Sequence, residues 1–199
     1  MGPMPRYLPT SALALAATLA LGSASAQAAP AVSDFAIPNA TNGPSALTNG
    51  PDGNVWFTDG DANAIGRITS AGTVTEFSSG LTSDANPKGI VAGPDGNLWF
   101  TEHSYPGRIG RISPTGQITE FPAGSDGKPE GIAAGPDGNL WFTTGSDHIG
   151  RITPAGTVTE YADGLTGGES HGITAGPDGN VWFTEASPPG ASAGSLRPA

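Results

Sequence analysis

Apolar residues in this chain come in short bursts, Val55-Trp56-Phe57, Leu98-Trp99-Phe100, Leu140-Trp141-Phe142 and Val181-Trp182-Phe183, each framed by polar turn formers. The bursts lack a clean apolar and polar alternation, which suits strands covered by neighbouring sheets on both faces. Beyond the N-terminal region no stretch places apolar residues at helical spacing over three turns, so helices are not expected.

Each burst sits in one block, Gly-Pro-Asp-Gly-Asn-(Val/Leu)-Trp-Phe-Thr, and the block occurs four times at spacings of 43, 42 and 41 residues. A period near forty with one turn and one aromatic pair per unit marks a repeat architecture of small sheets. In Pro51-Asp52-Gly53-Asn54 and its copies, proline fixes φ, aspartate bonds the backbone ahead and glycine accepts positive φ, giving a tight reversal. Asp52, Asp95, Asp137 and Asp178 are therefore read as turn formers. A second reversal falls at Pro114-Thr115-Gly116 and Pro154-Ala155-Gly156, after Ile-Gly-Arg-Ile strands that start at Ile65, Ile109 and Ile149. Thr75-Glu76-Phe77, Thr119-Glu120-Phe121 and Thr159-Glu160-Tyr161 then supply an outer strand. Four short strands per unit predict an all-β chain, a β-propeller of four-stranded antiparallel blades with about four repeats and an incomplete ring. Arg67, Arg111 and Arg151 recur once per blade, which predicts a structural pairing with Glu76, Glu120 and Glu160 or with a turn carbonyl.

Three segments follow from composition. Residues 1–28 read as a secretory signal peptide: Arg6 lies in a short polar start, Ser11 to Gly22 is rich in alanine and leucine, and Ala24-Ser25-Ala26 and Ala26-Gln27-Ala28 offer cleavage sites. This predicts export to a periplasm or the medium. Residues 29–185 hold the repeats. Residues 186–199 form a proline, glycine, serine and alanine tail of linker composition, in which no Ile-Gly-Arg-Ile strand is recognisable. An incomplete ring leaves unpaired strand edges, which predicts self-association.

The chain carries no cysteine, so disulfides and thiolate metal sites are excluded. Its net charge of −10 speaks against nucleic acid and anionic membranes as partners and leaves hard cations possible. Positions that recur in every copy belong to the scaffold, and positions that vary are free for a site. Just before the first strand of each unit stand Ser45, Lys88, Glu130 and His171, four different polar types facing the expected channel mouth. Glu130 and Lys88 are candidate ligand-binding residues there, with simple exposed charge as the competing reading. His103 near Tyr105, and His148 after Asp147, fall in variable connections and are read as solvated loop histidines.

Asn97-Leu98-Trp99-Phe100-Thr101-Glu102, Ile109-Gly110-Arg111-Ile112, Ile118-Thr119-Glu120-Phe121 and Glu169-Ser170-His171-Gly172-Ile173 strongly resemble the streptogramin B lyase family, the virginiamycin B lyases. The resemblance covers nearly all of residues 35 to 185. It implies a β-propeller that linearises cyclic depsipeptide lactones by Mg²⁺-dependent elimination at the ester bond, without water. His171 then matches the general base, Glu169 a magnesium-holding carboxylate, and Glu185 the second metal-linked glutamate. Two departures accompany the match: Glu130 stands where the family carries another substrate-contacting histidine, and there are about four repeats where the family has seven. The readings that follow are a carbon–oxygen lyase acting on a small cyclic peptide lactone, or a non-catalytic propeller module binding a small molecule, glycan or protein. A lactonase-like propeller hydrolase is a third, less favoured because those sites gather several metal ligands from different blades.

Overall fold

A computed structural model describes residues 32–38, 43–124, 127–187 and 190–198. Contacts divide the chain into Met1–Asp34 and Phe35–Ala199. The expected signal peptide, residues 1–28, lies wholly outside the described residues, and the first unit is described only over 32–34, which form no regular element. Among the described residues no helix is long and apolar enough to cross a membrane.

The described residues of the second unit form fifteen strands in four antiparallel sheets. The first sheet holds β1 (Ala46–Asn49), β2 (Val55–Asp59), β3 (Ala64–Ile68) and β4 (Val74–Phe77). In the second are β5 (Pro87–Ala92), β6 (Leu98–Glu102), β7 (Arg108–Ile112) and β8 (Ile118–Pro122). The third contains β9 (Ile132–Ala134), β10 (Leu140–Thr143), β11 (Ile149–Ile152) and β12 (Val158–Tyr161). The fourth has three strands, β13 (Glu169–Ala175), β14 (Val181–Ser187) and β15 (Gly190–Leu196). Every sheet is a simple meander, as short turn-linked strands dictate.

The turn aspartates explain how each block is made. Asp52 accepts hydrogen bonds from the backbone N–H and side-chain amide of Asn54 and from the Trp56 indole at 2.9 Å. The same triplet recurs around Asp95, Asp137 and Asp178. Each aspartate thus closes its turn and aims its tryptophan. Partial burial pushes Asp52, Asp95 and Asp137 up, but the indole and asparagine hydrogen bonds outweigh it and hold all three below the ordinary value of 3.8.

The central strands are buried on both faces, β6 at all five positions and β10 at all four, because alternate side chains serve different neighbouring sheets. Trp56 and Ile65 pack forward onto Ile90, Leu98, Phe100 and Ile112 of the second sheet. Trp99 and Ile109 meet Ile132, Leu140, Phe142 and Ile152 of the third, and Trp141 and Ile149 meet Val181 and Phe183 of the fourth. The glycine of each Ile-Gly-Arg-Ile strand makes room for the phenylalanine opposite: a Cβ on Gly110 would lie 2.0 Å from the Phe100 ring, and one on Gly66 or Gly150 is equally blocked. The described sheets form an array that is not closed into a ring, since clusters join only successive sheets.

The arginines take the turn-carbonyl option. Arg67 donates to the Pro114 carbonyl at 3.1 Å and Arg111 to that of Pro154 at 3.2 Å, each reaching into the next sheet. Arg67, Arg111 and Arg151 also lie over the stacked Trp and Phe or Tyr rings of their own sheets. Arg111 does not face the outer-strand glutamate of its own sheet, because it is registered with Thr119 and the neighbouring Glu120 faces the other way. Glu120 instead receives the N–H and hydroxyl of Thr82.

One segment differs from its sequence reading. The tail carries β15, with Gly194 opposite Phe183, Ser195 opposite Trp182 and Leu196 opposite Val181. That is the register of Gly150, Arg151 and Ile152 against β10. Ala193-Gly194-Ser195-Leu196 is therefore a worn Ile-Gly-Arg-Ile strand in which the glycine survives for the same steric reason: a Cβ there would lie 2.4 Å from the Phe183 ring.

Candidate functional site

The recurring strand threonine fixes the backbone at the mouth. Thr58, Thr101 and Thr143 each donate a hydroxyl to a carbonyl of the next sheet, those of Lys88, Glu130 and His171, at 2.5, 2.6 and 2.8 Å. The same hydroxyls accept N–H bonds from their own sheets, at Ala46, Gly89 and Gly131. The residues that vary from copy to copy are thus held at one equivalent place per sheet, on a rigid peptide.

Between the second, third and fourth sheets this arrangement leaves a cleft of ≈ 420 Å³ whose side chains include His103, Tyr105, Lys128, Glu130, Glu169 and His171. Gly127 and Gly145 line it as well. His171 Nδ1 lies 2.7 Å from Glu130 Oε2. On the far side of the ring, Nε2 lies 3.9 Å from Glu169 Oε2. Glu130 Oε1 lies 3.8 Å from His103 Nδ1. The side chain of Glu169 is 73% exposed and that of His171 44%, so both are open to a ligand.

The structure therefore brings together Glu130, Glu169 and His171. Lys88 lines a separate polar cleft of ≈ 290 Å³ with Ser45, Asp61 and Asn86. Glu185 is buried, accepts the Thr166 N–H at 3.2 Å and lines another depression beside Asp163. Its neighbour Thr184 is the residue that receives the Gly172 N–H, so strand alternation turns Glu185 away from the peptide that carries His171. His148 pairs with Asp147 at 2.9 Å. His103, read from sequence as a solvated loop residue, is instead part of the cleft. A signal for it was present: two positions past the strand threonine the copies read Gly60, His103, Gly145 and Ala186, so the imidazole serves no scaffold need.

Among the described residues no three His, Asp or Glu side chains converge as a metal-ion group. Mg²⁺ commonly keeps several waters and takes only one or two carboxylates together with substrate oxygens. Glu169 meets that limited demand: it is a hard oxygen donor, largely exposed and with no side-chain hydrogen bond of its own among the described residues.

Successive antiparallel meanders with a polar cleft where the first strands enter define a propeller-type array. Residues 30–191 match the model of the virginiamycin B lyase family, and the chain belongs to that family. Among solved structures it is similar to virginiamycin B lyase from Staphylococcus aureus, at 36% identity and a TM-score of 0.69, covering 81% of this chain and 57% of that one. A streptogramin B lyase structure matches at 32% identity and a TM-score of 0.70, with 83% and 58% coverage. A catalytically inactive histidine-to-alanine variant of the S. aureus lyase, solved with quinupristin, matches at 36% identity and a TM-score of 0.70, with 81% and 58% coverage. This chain thus spans less than three fifths of the length of the solved lyases it matches. No curated protein sequence matches significantly.

Proposed function

We propose that the chain is an exported lyase of this family that opens a small cyclic peptide lactone by elimination, with His171 as the base. The observation that carries the reading is His171 in the cleft beside Glu169, in a family whose S. aureus member is inactive as a histidine-to-alanine variant and was solved with quinupristin. In the reaction His171 Nε2 takes the proton from the carbon α to a substrate carbonyl. The freed electron pair forms a carbon–carbon double bond, the bond from the β carbon to the ester oxygen breaks, and that oxygen leaves as a carboxylate. No water is consumed, so substrate and product have equal mass. When bound at Glu169, Mg²⁺ would supply Lewis-acid stabilisation of the charge that develops on the carbonyl oxygen.

The test is incubation of purified protein with quinupristin, with and without chelator, followed by mass spectrometry. The expected result is a linear product of unchanged mass that disappears in His171→Ala and falls at least about 100-fold with chelator. A second reading, a binding module without turnover, is favoured by Glu130 standing where the family resemblance leads one to expect a further substrate-contacting histidine. Wild type as inert as His171→Ala, with quinupristin still bound, would establish it in place of the first.

A further inference from the structure

The four sheets are copies of one design, so a side chain the scaffold does not require is exposed by comparing them. His103 occupies a place held by Gly60, Gly145 and Ala186 in the other copies. Strand pairing runs on past β6, with the His103 N–H donating to the Asn86 carbonyl at 3.0 Å. Residues two apart on a strand share a face, and the face of Thr101 is the one that grips the Glu130 carbonyl. His103 is consequently aimed at the third sheet. Its Nδ1 is buried without a hydrogen-bond partner among the described residues, and the Glu130 carboxylate lies 3.8 Å away. The other oxygen of that carboxylate holds Nδ1 of His171.

We propose that Glu130 is the orienting carboxylate of this cleft, hydrogen-bonded to Nδ1 of His171 and facing Nδ1 of His103 across 3.8 Å, so that both rings turn their Nε2 edges to one ligand. The inference rests on the lyase reading only for the ligand's identity. An ionised carboxylate only accepts, so the nitrogen it holds carries the proton, and a neutral ring then has a bare Nε2. For His171 that is the form a base needs. For His103 a bare Nε2 accepts a hydrogen bond, which a peptide N–H of the ligand supplies. Where the family resemblance leads one to expect a histidine at position 130, the chain has a carboxylate, and an imidazole enters the same cleft from the second sheet. The remaining charged or titratable neighbours are Glu169, next to His171 Nε2, and Lys128 and Tyr105 on the lining. Glu130 is a positioning residue here; His103 contacts the ligand.

The full chain, labelled with ¹⁵N-histidine and kept near pH 8 so that ordinary imidazoles are neutral, reports each tautomer by NMR. His103→Gly, the residue two other sheets carry at that place, assigns one ring, and His148→Gln a second. Wild type is expected to show Nδ1–H on both His171 and His103. Glu130→Leu should abolish that preference in both rings, whereas Glu130→Gln should preserve it, because an amide oxygen also accepts. Nδ1 found bare on His171 in wild type, or a His103 signal indifferent to Glu130→Leu, overturns the proposal. The wild-type spectrum alone decides the first point should the leucine variant fail to fold. None of these spectra requires turnover, so an inert enzyme would defeat the lyase reading and leave this one standing. With quinupristin, His103→Gly should raise KM, or Kd where there is no turnover, about tenfold while kcat changes little. An unchanged value would remove His103 from the ligand's contacts and defeat the proposal.

Discussion

At the residue scale the threonine hydroxyl is the most economical device in the chain. Thr143 Oγ1 receives the Gly131 N–H at 2.9 Å and donates to the His171 carbonyl at 2.8 Å, so one atom ties the third sheet to the peptide that carries the proposed base. Thr143→Val keeps the shape and strands both backbone groups, which should cost about 1–3 kcal/mol. A fall in Tm of several degrees is expected, together with a loss of kcat larger than the change in KM, because His171 loses its fixed height in the cleft. Thr184→Val provides the contrast: Thr184 receives the Gly172 N–H at 3.0 Å but reaches no following sheet among the described residues. Its Tm should fall by less, and equal falls in a melting experiment would show that the inter-sheet bond contributes nothing. Legibility in the sequence divides along the same line. The turn aspartates were readable because their partners lie two and four residues away. His103 stood out against Gly60, Gly145 and Ala186, but its neighbour was not readable, because Glu130 lies on another sheet and only the register of Thr101 reveals that the two converge.

Among the elements, the second sheet contains a charge problem that its neighbours avoid. The residue after the strand threonine is buried in all four copies, as Asp59, Glu102, Thr144 and Glu185. Asp59 and Glu185 each accept a backbone N–H, from Ala62 and Thr166. Among the described residues neither carboxylate oxygen of Glu102 has a hydrogen-bond partner. Burial first, and then the charge of Glu120, push its carboxyl up from 4.5 to about 8 against the pull of Arg108. A folded-state value above the unfolded one means that the folded chain holds an extra proton between them. The stabilisation is therefore complete below pH 4.5 and is lost as pH rises through about 8. Thermal melts from about pH 6 to about pH 9 should show wild type losing several degrees more than Glu102→Gln, which keeps the neutral form at every pH. Parallel curves would mean that Glu102 ionises normally. The strand β15 offers the complementary lesson about elements. Its glycine was retained by the Phe183 ring, but alanine at 193 and serine at 195 erased the apolar and basic signal, and composition alone then resembled a linker.

For the assembled array, the fate of the four tryptophans measures how completely each sheet is covered. Trp56, Trp99 and Trp141 are at most 1% exposed, each stacked on the outer-strand ring of its own sheet and overlaid by an arginine. Trp182 is 41% exposed: Ser195 replaces the arginine, and among the described residues the three-stranded sheet supplies no outer aromatic. Leu47, 73% exposed on the first sheet, occupies the position that Ile90 and Ile132 fill in buried clusters. The exposed Trp182 gives the array an optical reporter of its uncovered face. In dilute solution the fluorescence should resolve into a majority component inaccessible to acrylamide and a minority, red-shifted component that is readily quenched. Trp182→Phe should remove the second and leave the first, with little change in Tm because less than full burial is forfeited. The same substitution at Trp99 should instead lower the Tm sharply, since it vacates a closed cluster and frees Asp95 of its indole partner. A quenchable component that survives Trp182→Phe would place the uncovered surface somewhere other than on the fourth sheet.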